Sequence, residues 1–244
     1  MTEAHRLAQS RLGALTVRQM LAAWALLEAD DLDGTVERWL RVAIPIVRLQ
    51  RSDSAALAGS YTRLFRRLEL GAGVDDTPPV LADEIAADQV AASLTSTGPI
   101  TVKANIGRGR EVDRAMEIGQ AAAAAAAMRL ALNGGRETVL NTARSDTRSV
   151  GWMRVTSGKP CAWCAMIASR GVVFWTRESA EAATRPAHAK GHDGCNCMIE
   201  PAYRGSTLPP SSQRWSDLWS ESTAGLGGND ARKAFRTALE TSLA

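Results

Sequence analysis

The four cysteines of this 244-residue chain all lie between residues 161 and 197, and this clustering constrains the fold more than any other feature. Cys161 and Cys164 form a C-x2-C pair, and His192, Cys195 and Cys197 form an H-x2-C-x-C group further along the chain. Zn²⁺ prefers four tetrahedral ligands from thiolate and imidazole, and a C-x2-C turn places two sulfurs on one ion. The pattern predicts a structural zinc site formed by Cys161, Cys164, His192 and Cys195, with Cys197 as the substitute ligand.

Two other states of the cysteines are compatible with this spacing. The thiols can be reduced and partly buried, because free cysteine is among the most buried residue types. They can also form two disulfides, which requires an oxidising compartment. The N-terminal segment lacks the apolar stretch of a secretory signal peptide, so a secreted disulfide framework is the weaker expectation.

Catalytic interpretations of the same residues are less consistent with the sequence. Pro160, Cys161 and Cys164 match the second half of the zinc deaminase signature, but the H-x-E half is absent upstream. A thioredoxin-like dithiol should follow a strand, and the region before Cys161 shows only a thin strand signal. A Cys161–His192 nucleophile pair is conceivable, but three neighbouring thiols make metal ligation the simpler account.

The chain before the cysteines is predicted to be helical up to about residue 150. Apolar residues recur at helical spacing on three faces; these are Val17, Met20, Leu21, Trp24 and Leu27, then Val36, Trp39, Leu40, Ala43, Ile46 and Val47, then Leu57, Tyr61, Leu64, Phe65 and Leu68. Asp33 is a plausible cap for the second helix, and Pro45 should kink or shorten it.

Helix boundaries in the next part of the chain follow from its Pro and Gly residues. Thr77-Pro78-Pro79 is predicted to open a fourth helix that ends near Leu94. A long helix with an alanine run at 121–127 should begin at Glu111 and stop at Asn133-Gly134-Gly135. A separate helix should then cover Arg136 to Arg148.

The C-terminal part of the sequence combines short strands with helices. Val172–Trp175 and Met198–Pro201 are apolar runs that are expected to pair as a small sheet, which a metal would stabilise. Ser211 to Leu218 and Asn229 to Leu243 are expected to be helices, with Trp215 and Trp219 packing on the cysteine module or forming an interaction surface. We therefore predict a mainly α protein: a helical N-terminal region (1–97), a core (98–203) that contains a small α+β cysteine and histidine module (150–203), and a C-terminal tail with a helix (204–244).

Charge and hydropathy exclude some functions. The formal net charge is only +3, which does not indicate a nucleic-acid-binding protein by itself. Arg63, Arg66 and Arg67 share a predicted helix face, and Arg108 and Arg110 flank a glycine; phosphate contact is conceivable, although a solvated face is the expected role. No apolar run is long enough for a transmembrane helix.

Three ordered motifs carry a family resemblance. They are Gly151-Trp152-x-Arg154-Val155, Cys161-x-x-Cys164-x-Met166-x-Ala168-Ser169-Arg170-Gly171, and His192-x-x-Cys195-x-Cys197-x-x-x-Pro201. Together they resemble the Mu F-like head morphogenesis (minor capsid) proteins of tailed bacteriophages, in the version found in phages of actinobacteria. The resemblance is sharp over about 133–203 and looser upstream.

The resemblance implies a structural role in the phage head. It implies a protein packaged in few copies in the capsid interior near the portal, present in the host cytoplasm during assembly, with the portal and other head proteins as partners and DNA contact as an option. By the family pattern, Trp152, Arg154 and Arg170 are packing or contact residues, and no catalytic residue is expected.

Two other functions compete with this interpretation. A metal-dependent hydrolase or nuclease-like enzyme would need an open coordination site and a nearby acid or base, for which Asp193 and Glu200 are the candidates in sequence. A DNA-binding module would instead use the arginine faces and would bind with a steep salt dependence.

Overall fold

The computed structural model describes residues 1–71, 73–174 and 191–244 as a helical body with a small antiparallel sheet. In chain order the helices are α1 (Thr2–Trp24), α2 (Leu32–Leu70), α3 (Ala87–Thr97), α4 (Pro99–Ile106), α5 (Val112–Ser145), α6 (Ala162–Ala168), α7 (Pro210–Ser222) and α8 (Gly228–Leu243). The strands are β1 (Ser149–Val155), β2 (Val173–Phe174) and β3 (Met198–Tyr203). The predicted fold class, mainly α with a small α+β cysteine module and a C-terminal helix, is confirmed.

Helix α5 is the central element of the fold. Its alanine run is largely buried, with Ala126 and Ala127 fully inaccessible to solvent. Small side chains let neighbouring helices approach closely, and α1, α2, α3 and α4 all pack against α5. The main apolar core lies between these helices and includes Trp39, Leu94 and Val102. The alanine run therefore lies in a tightly packed core helix.

Asn133-Gly134-Gly135 does not end the helix, contrary to the prediction from sequence. α5 runs without interruption to Ser145, so the two helices expected here are one. The glycines are needed for close packing instead of termination: a Cβ on Gly134 would lie 2.3 Å from the carbonyl oxygen of Arg51 on α2. A Cβ on Gly135 would lie 2.7 Å from the side chains of Gln9 and Ser54. Tertiary contact therefore overrides the helix-breaking tendency of two adjacent glycines.

We predict that Gly134→Ala destabilises the protein by about 2 kcal/mol, because the new methyl group overpacks the contact between α2 and α5. The steric cost opposes a helix-propensity gain of about 1 kcal/mol that alanine would otherwise bring. Urea denaturation of both proteins measures the difference. Gly107→Ala is the matched control, since its Cβ would make only ordinary contacts at 3.4 Å or more. A Gly134→Ala protein at least as stable as the parent would contradict the prediction.

The segment before α3 is extended instead of helical. The helix predicted to open at Thr77 corresponds to α3, which begins at Ala87 and ends at Thr97, so the predicted start is wrong. Two threonines of α5 hold the segment in place: the Val80 amide donates to Thr142 Oγ1 and the Ala82 amide donates to Thr138 Oγ1, each at 2.9 Å. These side-chain acceptors satisfy backbone donors that a helix would otherwise have used.

Two details at the start and middle of α2 also differ from the prediction. The cap is Asp31, whose side chain accepts a hydrogen bond from the Gly34 amide at 3.0 Å, whereas Asp33 pairs with Lys103 on α4. Pro45 does not shorten the helix, which continues to Leu70. Complete burial of Ala43 and Val47 on either side of Pro45 offsets the backbone hydrogen bond that proline removes.

The sheet has the order β2-β1-β3, with β1 in the centre and both neighbours antiparallel to it. The sequence predicts pairing between the second and third strands, and this is wrong because β1 lies between them. Trp152 on β1 is opposite Val173 on one side and Pro201 on the other. β2 ends at Phe174, and Trp175, the last residue of the predicted strand, lies outside the described residues.

The arginines that share a predicted helix face on α2 have different environments. Arg66 is buried and forms an ion pair with the buried Asp146, at 2.7 Å between Nε and Oδ2. Arg63 and Arg67 are more exposed, and both pair with Asp76. Arg66 therefore holds the C-terminal ends of α2 and α5 together.

The C-terminal helices pack on α6, the short helix that carries the first cysteine pair. Ala165, Met166 and Ala168 of α6 share an apolar cluster with Trp215 of α7 and Phe235 of α8. The predicted helix over 229–243 is confirmed as α8. None of the helices in the described ranges combines the length and the apolar character needed to cross a bilayer.

Candidate metal centre

The fold brings all five predicted ligands into one cluster. Cys161 caps the N-terminus of α6 and accepts a hydrogen bond from the Cys164 amide, while Cys164 lies in the first turn of that helix. His192, Cys195 and Cys197 lie in the segment that leads into β3. Strand β1 precedes the first group and pairs with the strand that follows the second, so the sheet brings the two groups together.

Distances within the cluster define two overlapping groups of donors. Cys161, Cys164 and His192 form one, Cys164, Cys195 and Cys197 form the other, and the donor atoms within each group lie within 4.8 Å of one another. The sulfurs of Cys164 and Cys195 are 3.4 Å apart, and Cys161 Sγ lies 2.8 Å from His192 Nε2. Cys164 belongs to both groups and is therefore the central donor.

Exposure differs across the cluster. Cys164, Cys195 and Cys197 are at most 4% exposed and form an apolar cluster of their own, whereas Cys161 and His192 lie on the solvent side. All four cysteines are free thiols, so the disulfide alternative finds no support in this arrangement.

The cluster also shifts the pKa values of its members. Hydrogen bonding with the Cys164 side chain, followed by the Cys164 amide and His192, lowers the pKa of Cys161 to about 5. Hydrogen bonds with Cys164 and Cys197, together with the charge of Arg136, lower the pKa of Cys195. Bonds with Cys161 and the other sulfurs raise the pKa of Cys164. Thiolate is therefore favoured at two sulfurs, and thiolate is the form that binds metal.

The chemistry of the donors fits zinc. A tetrahedral site with zinc–sulfur bonds of about 2.3 Å has sulfur–sulfur edges of about 3.8 Å, close to the Cys164–Cys195 separation. The described groups that are able to hold a metal contain thiol and imidazole donors and no carboxylate. His192 Nδ1 lies 2.8 Å from the backbone oxygen of Asp193, an arrangement that leaves Nε2 as the ligand atom.

A buried arginine supports the second group of donors, and the sequence prediction missed it. Arg136 of α5 is fully inaccessible to solvent, and it donates to the backbone oxygens of Cys197 (2.9 Å) and Cys195 (2.6 Å). It also donates to Asn133 Oδ1 at 2.8 Å, which in turn accepts from the Gly191 amide at 3.2 Å. Burial lowers the pKa of Arg136 to about 10, which still leaves it charged at neutral pH.

Further contacts fix the histidine-containing loop on α5. The Gly194 amide donates to the backbone oxygen of Ala125 at 3.4 Å, and Arg129 pairs with Asp193 at 2.5 Å. A Cβ on Gly191 would come within 2.5 Å of the Arg136 guanidinium, so a side chain is excluded there. The alanine run and the NGGR segment of α5 together form the platform for this half of the centre.

The other residues of the family motifs surround the centre. Trp152 of β1 is buried against α5 and α6, in a cluster with Val139 and Ile167. Arg154 is fully buried, and its guanidinium lies 5.9 Å from the centre of the Trp152 ring. Arg170 is exposed and precedes Gly171, whose positive φ of 67° ends the α6 turn. Trp152 and Arg154 thus lie in the interior, and Arg170 lies on the surface.

The two tryptophans of α7 differ in environment. Trp215 is 2% exposed, and its Nε1 donates to Thr156 Oγ1 at 2.9 Å. Trp219 is partly exposed and packs on Phe235 of α8 at a ring distance of 5.0 Å. Trp215 therefore ties α7 to the end of β1, next to the metal-binding segment.

The two carboxylates considered as catalytic groups do not contact the cysteines. Asp193 pairs with Arg129, as described above. Glu200 lies on β3 and accepts hydrogen bonds from Tyr61 on α2 and Thr2 on α1. Neither carboxylate belongs to the groups of possible metal donors among the described residues.

Comparison with known proteins identifies relatives among bacteriophages. The model of the VG15 protein family matches residues 1–222. The Gene 15 protein of Mycobacterium phage D29 is 25% identical over 131 residues, covering 40% of this chain and 48% of that protein, so the chain spans about half the length of this curated relative. No solved structure matches the chain. The matches support a family of phage virion genes, the broader part of the resemblance seen in the sequence.

Proposed function

We propose that this chain, which belongs to the VG15 protein family, is a minor capsid (head morphogenesis) protein of a tailed bacteriophage. The observation that carries the proposal is the family match over 1–222, together with the mycobacteriophage relative. The Mu F-like motifs supply the finer assignment. Trp152, Arg154 and the two cysteine groups of these motifs lie close together in the fold, as a shared structural role requires.

The proposed setting is the capsid interior near the portal, with assembly in the host cytoplasm and the portal and other head proteins as partners. Support comes from apolar surface on α2, where Leu49, Leu64 and Leu68 are 52–66% exposed. Burial of these leucines by a partner protein would remove apolar surface from water and favour association. DNA contact is a secondary part of the proposal, and it would use exposed arginines such as Arg108 and Arg110.

The proposed role of the metal is structural. Cys161, Cys164, His192 and Cys195 would hold zinc, and Cys197 would be the substitute ligand. Four thiolate and imidazole ligands close the coordination sphere, as in structural zinc sites, and leave no position for a substrate. We therefore propose that the metal stabilises the folded protein, and we propose no catalytic residue.

The experiment that tests the proposed function is quantitative mass spectrometry of purified phage particles and procapsids that carry this gene. We expect a few copies of the chain per particle, at a constant ratio to the portal protein. A particle-associated protease-protected fraction would support the interior location. If the chain is absent from both particle types while it is expressed in infected cells, the structural assignment is wrong.

A further inference from the structure

A cavity of about 670 Å³ lies beside β3, and Glu200 of that strand contributes to its lining. It is bounded by the start of α1, the C-terminal end of α2, the end of β1 and the segment that leads into α7. Its lining includes Glu69, Glu200, Phe65, Leu208 and Trp215. We call it the Glu200 cavity. None of the proposed metal ligands lines it.

Glu200 is a buried carboxylate with only neutral hydrogen-bond partners. It is 4% exposed, and its Oε2 accepts from Tyr61 Oη and Thr2 Oγ1, each at 2.9 Å. Within residues 1–71, 73–174 and 191–244, no Lys, Arg or N-terminal ammonium comes within 4.0 Å of it. Burial raises the pKa of Glu200, while the hydrogen bonds from Tyr61 and Thr2 and the charge of the N-terminal ammonium lower it. A cation bound beside the carboxylate would lower its pKa further and offset the cost of burying its charge.

The two cationic side chains of the lining are engaged elsewhere. Arg6 forms a two-bond pair with Glu3, with 2.8 Å between Nε and the carboxylate. Arg214 stacks on the Trp215 ring at 4.6 Å and donates to the backbone oxygen of Ser242. Neither arginine therefore forms an ion pair with Glu200.

The walls and the entrance of the cavity suit a cation on an aliphatic stem. Phe65, Val155 and Leu208 provide apolar surface on the walls. Glu69 is exposed and contributes a second carboxylate to the lining. Its Oε2 accepts a hydrogen bond from Ser206 Oγ at 2.8 Å. Lysine and arginine combine an apolar stem with a positively charged end. The stem would contact the apolar walls, and the charged end would lie near the carboxylates.

We propose that the Glu200 cavity binds a lysine or arginine side chain of a partner head protein. The apolar walls contact the stem, Glu69 attracts the charge, and Glu200 pairs with the ammonium or guanidinium at the floor. The identity of the partner as a head protein rests on the proposed function. The cation-binding property belongs to the isolated chain and is testable without phage particles.

The test is a titration of the purified full-length chain with N-acetyl-lysine methylamide and N-acetyl-arginine methylamide, followed by tryptophan fluorescence and NMR. We expect saturable binding of at least one cationic probe with a Kd of about 1 mM, reported by Trp215. N-acetyl-norleucine methylamide, which has the stem without the charge, should bind at least tenfold more weakly.

Glu200→Gln keeps the shape and the acceptor for Tyr61 but removes the charge, so it should weaken binding of the cationic probe by at least tenfold. Glu117→Gln is the matched control, since Glu117 is exposed and pairs with Arg114 on α5 far along the chain; it should bind like the parent. If Glu200→Gln does not fold by circular dichroism, Glu69→Gln replaces it, with an expected weakening of about threefold for a single partly screened charge.

Three outcomes would overturn the proposal: no saturable binding of either cationic probe, equal binding of norleucine, or unchanged binding in the charge-removing variant. A negative titration with the chain present in phage heads would remove the cavity proposal alone. A positive titration with the chain absent from particles would leave cation binding in place and remove the head-protein partner.

Discussion

Replacing Cys164 with serine is expected to reduce zinc from about one ion per chain to near zero. Cys164 is 1% exposed and belongs to both donor groups, so no other cysteine can take its place without moving α6. Zinc binding contributes directly to folding, and we expect the variant to lose at least about 3 kcal/mol of stability. Elemental analysis of protein purified under reducing conditions, combined with urea denaturation, measures both effects.

Cys197→Ser is the informative comparison, because it changes the same type of residue in the same cluster. If the proposed ligand set is correct, the Cys197→Ser protein keeps its zinc and the Cys195→Ser protein loses it. The reverse result would assign the fourth position to Cys197, whose sulfur accepts a hydrogen bond from the Ser157 amide at 3.5 Å. A parent protein that contains no zinc, and whose stability does not change on Cys164→Ser, would contradict the metal proposal.

The five donors could be predicted from sequence because each group is local. C-x2-C and H-x2-C-x-C contain their ligand geometry within a few residues, and only their meeting depends on the fold. The structure brings the groups together as expected, although whether they bind zinc stays a prediction. The division of the chain at residues 97 and 203 likewise remains a proposal, while the main apolar core combines residues from both sides of residue 97.

The features that sequence reasoning missed depend on long-range contacts. The tight approach of Arg51 to Gly134 explains why two glycines continue α5, and nothing in the local sequence reveals that neighbour. The sequence shows only a thin strand signal where β1 lies, and in the structure this strand pairs with β2 and β3 and nearly all of its residues are buried. A strand buried in this way lacks the alternation of apolar and polar residues that identifies strands in sequence.

Arg136 is the clearest example of a functional residue without a local signal. In sequence it follows a predicted helix stop and is the first residue of the next predicted helix. In the structure its three nitrogens bind oxygens of Cys195, Cys197 and Asn133, which lie up to 61 positions away. The acceptors are two backbone carbonyls and one amide, and their position depends on the complete fold of the cysteine module.

Replacing Arg136 with methionine is expected to destabilise the protein by about 3–5 kcal/mol, the range for removing one partner of a buried charged network. The variant fills similar volume but leaves the carbonyls of Cys195 and Cys197 without a donor in a site that excludes water. It also removes the positive charge that favours thiolate at Cys195. Zinc affinity should therefore fall 10- to 100-fold, as for other residues that orient metal ligands.

Arg114→Met is the matched control, since Arg114 lies on the same helix but is 65% exposed and forms only a surface pair with Glu117. It should cost less than about 0.5 kcal/mol and leave zinc affinity unchanged. Arg136→Lys should be intermediate, because lysine keeps the charge but cannot reach three acceptors in a fixed plane. Stability and zinc affinity must fall together in Arg136→Met. If stability falls while zinc affinity stays at the parental value, Arg136 supports packing alone and its proposed effect on the metal ligands is wrong.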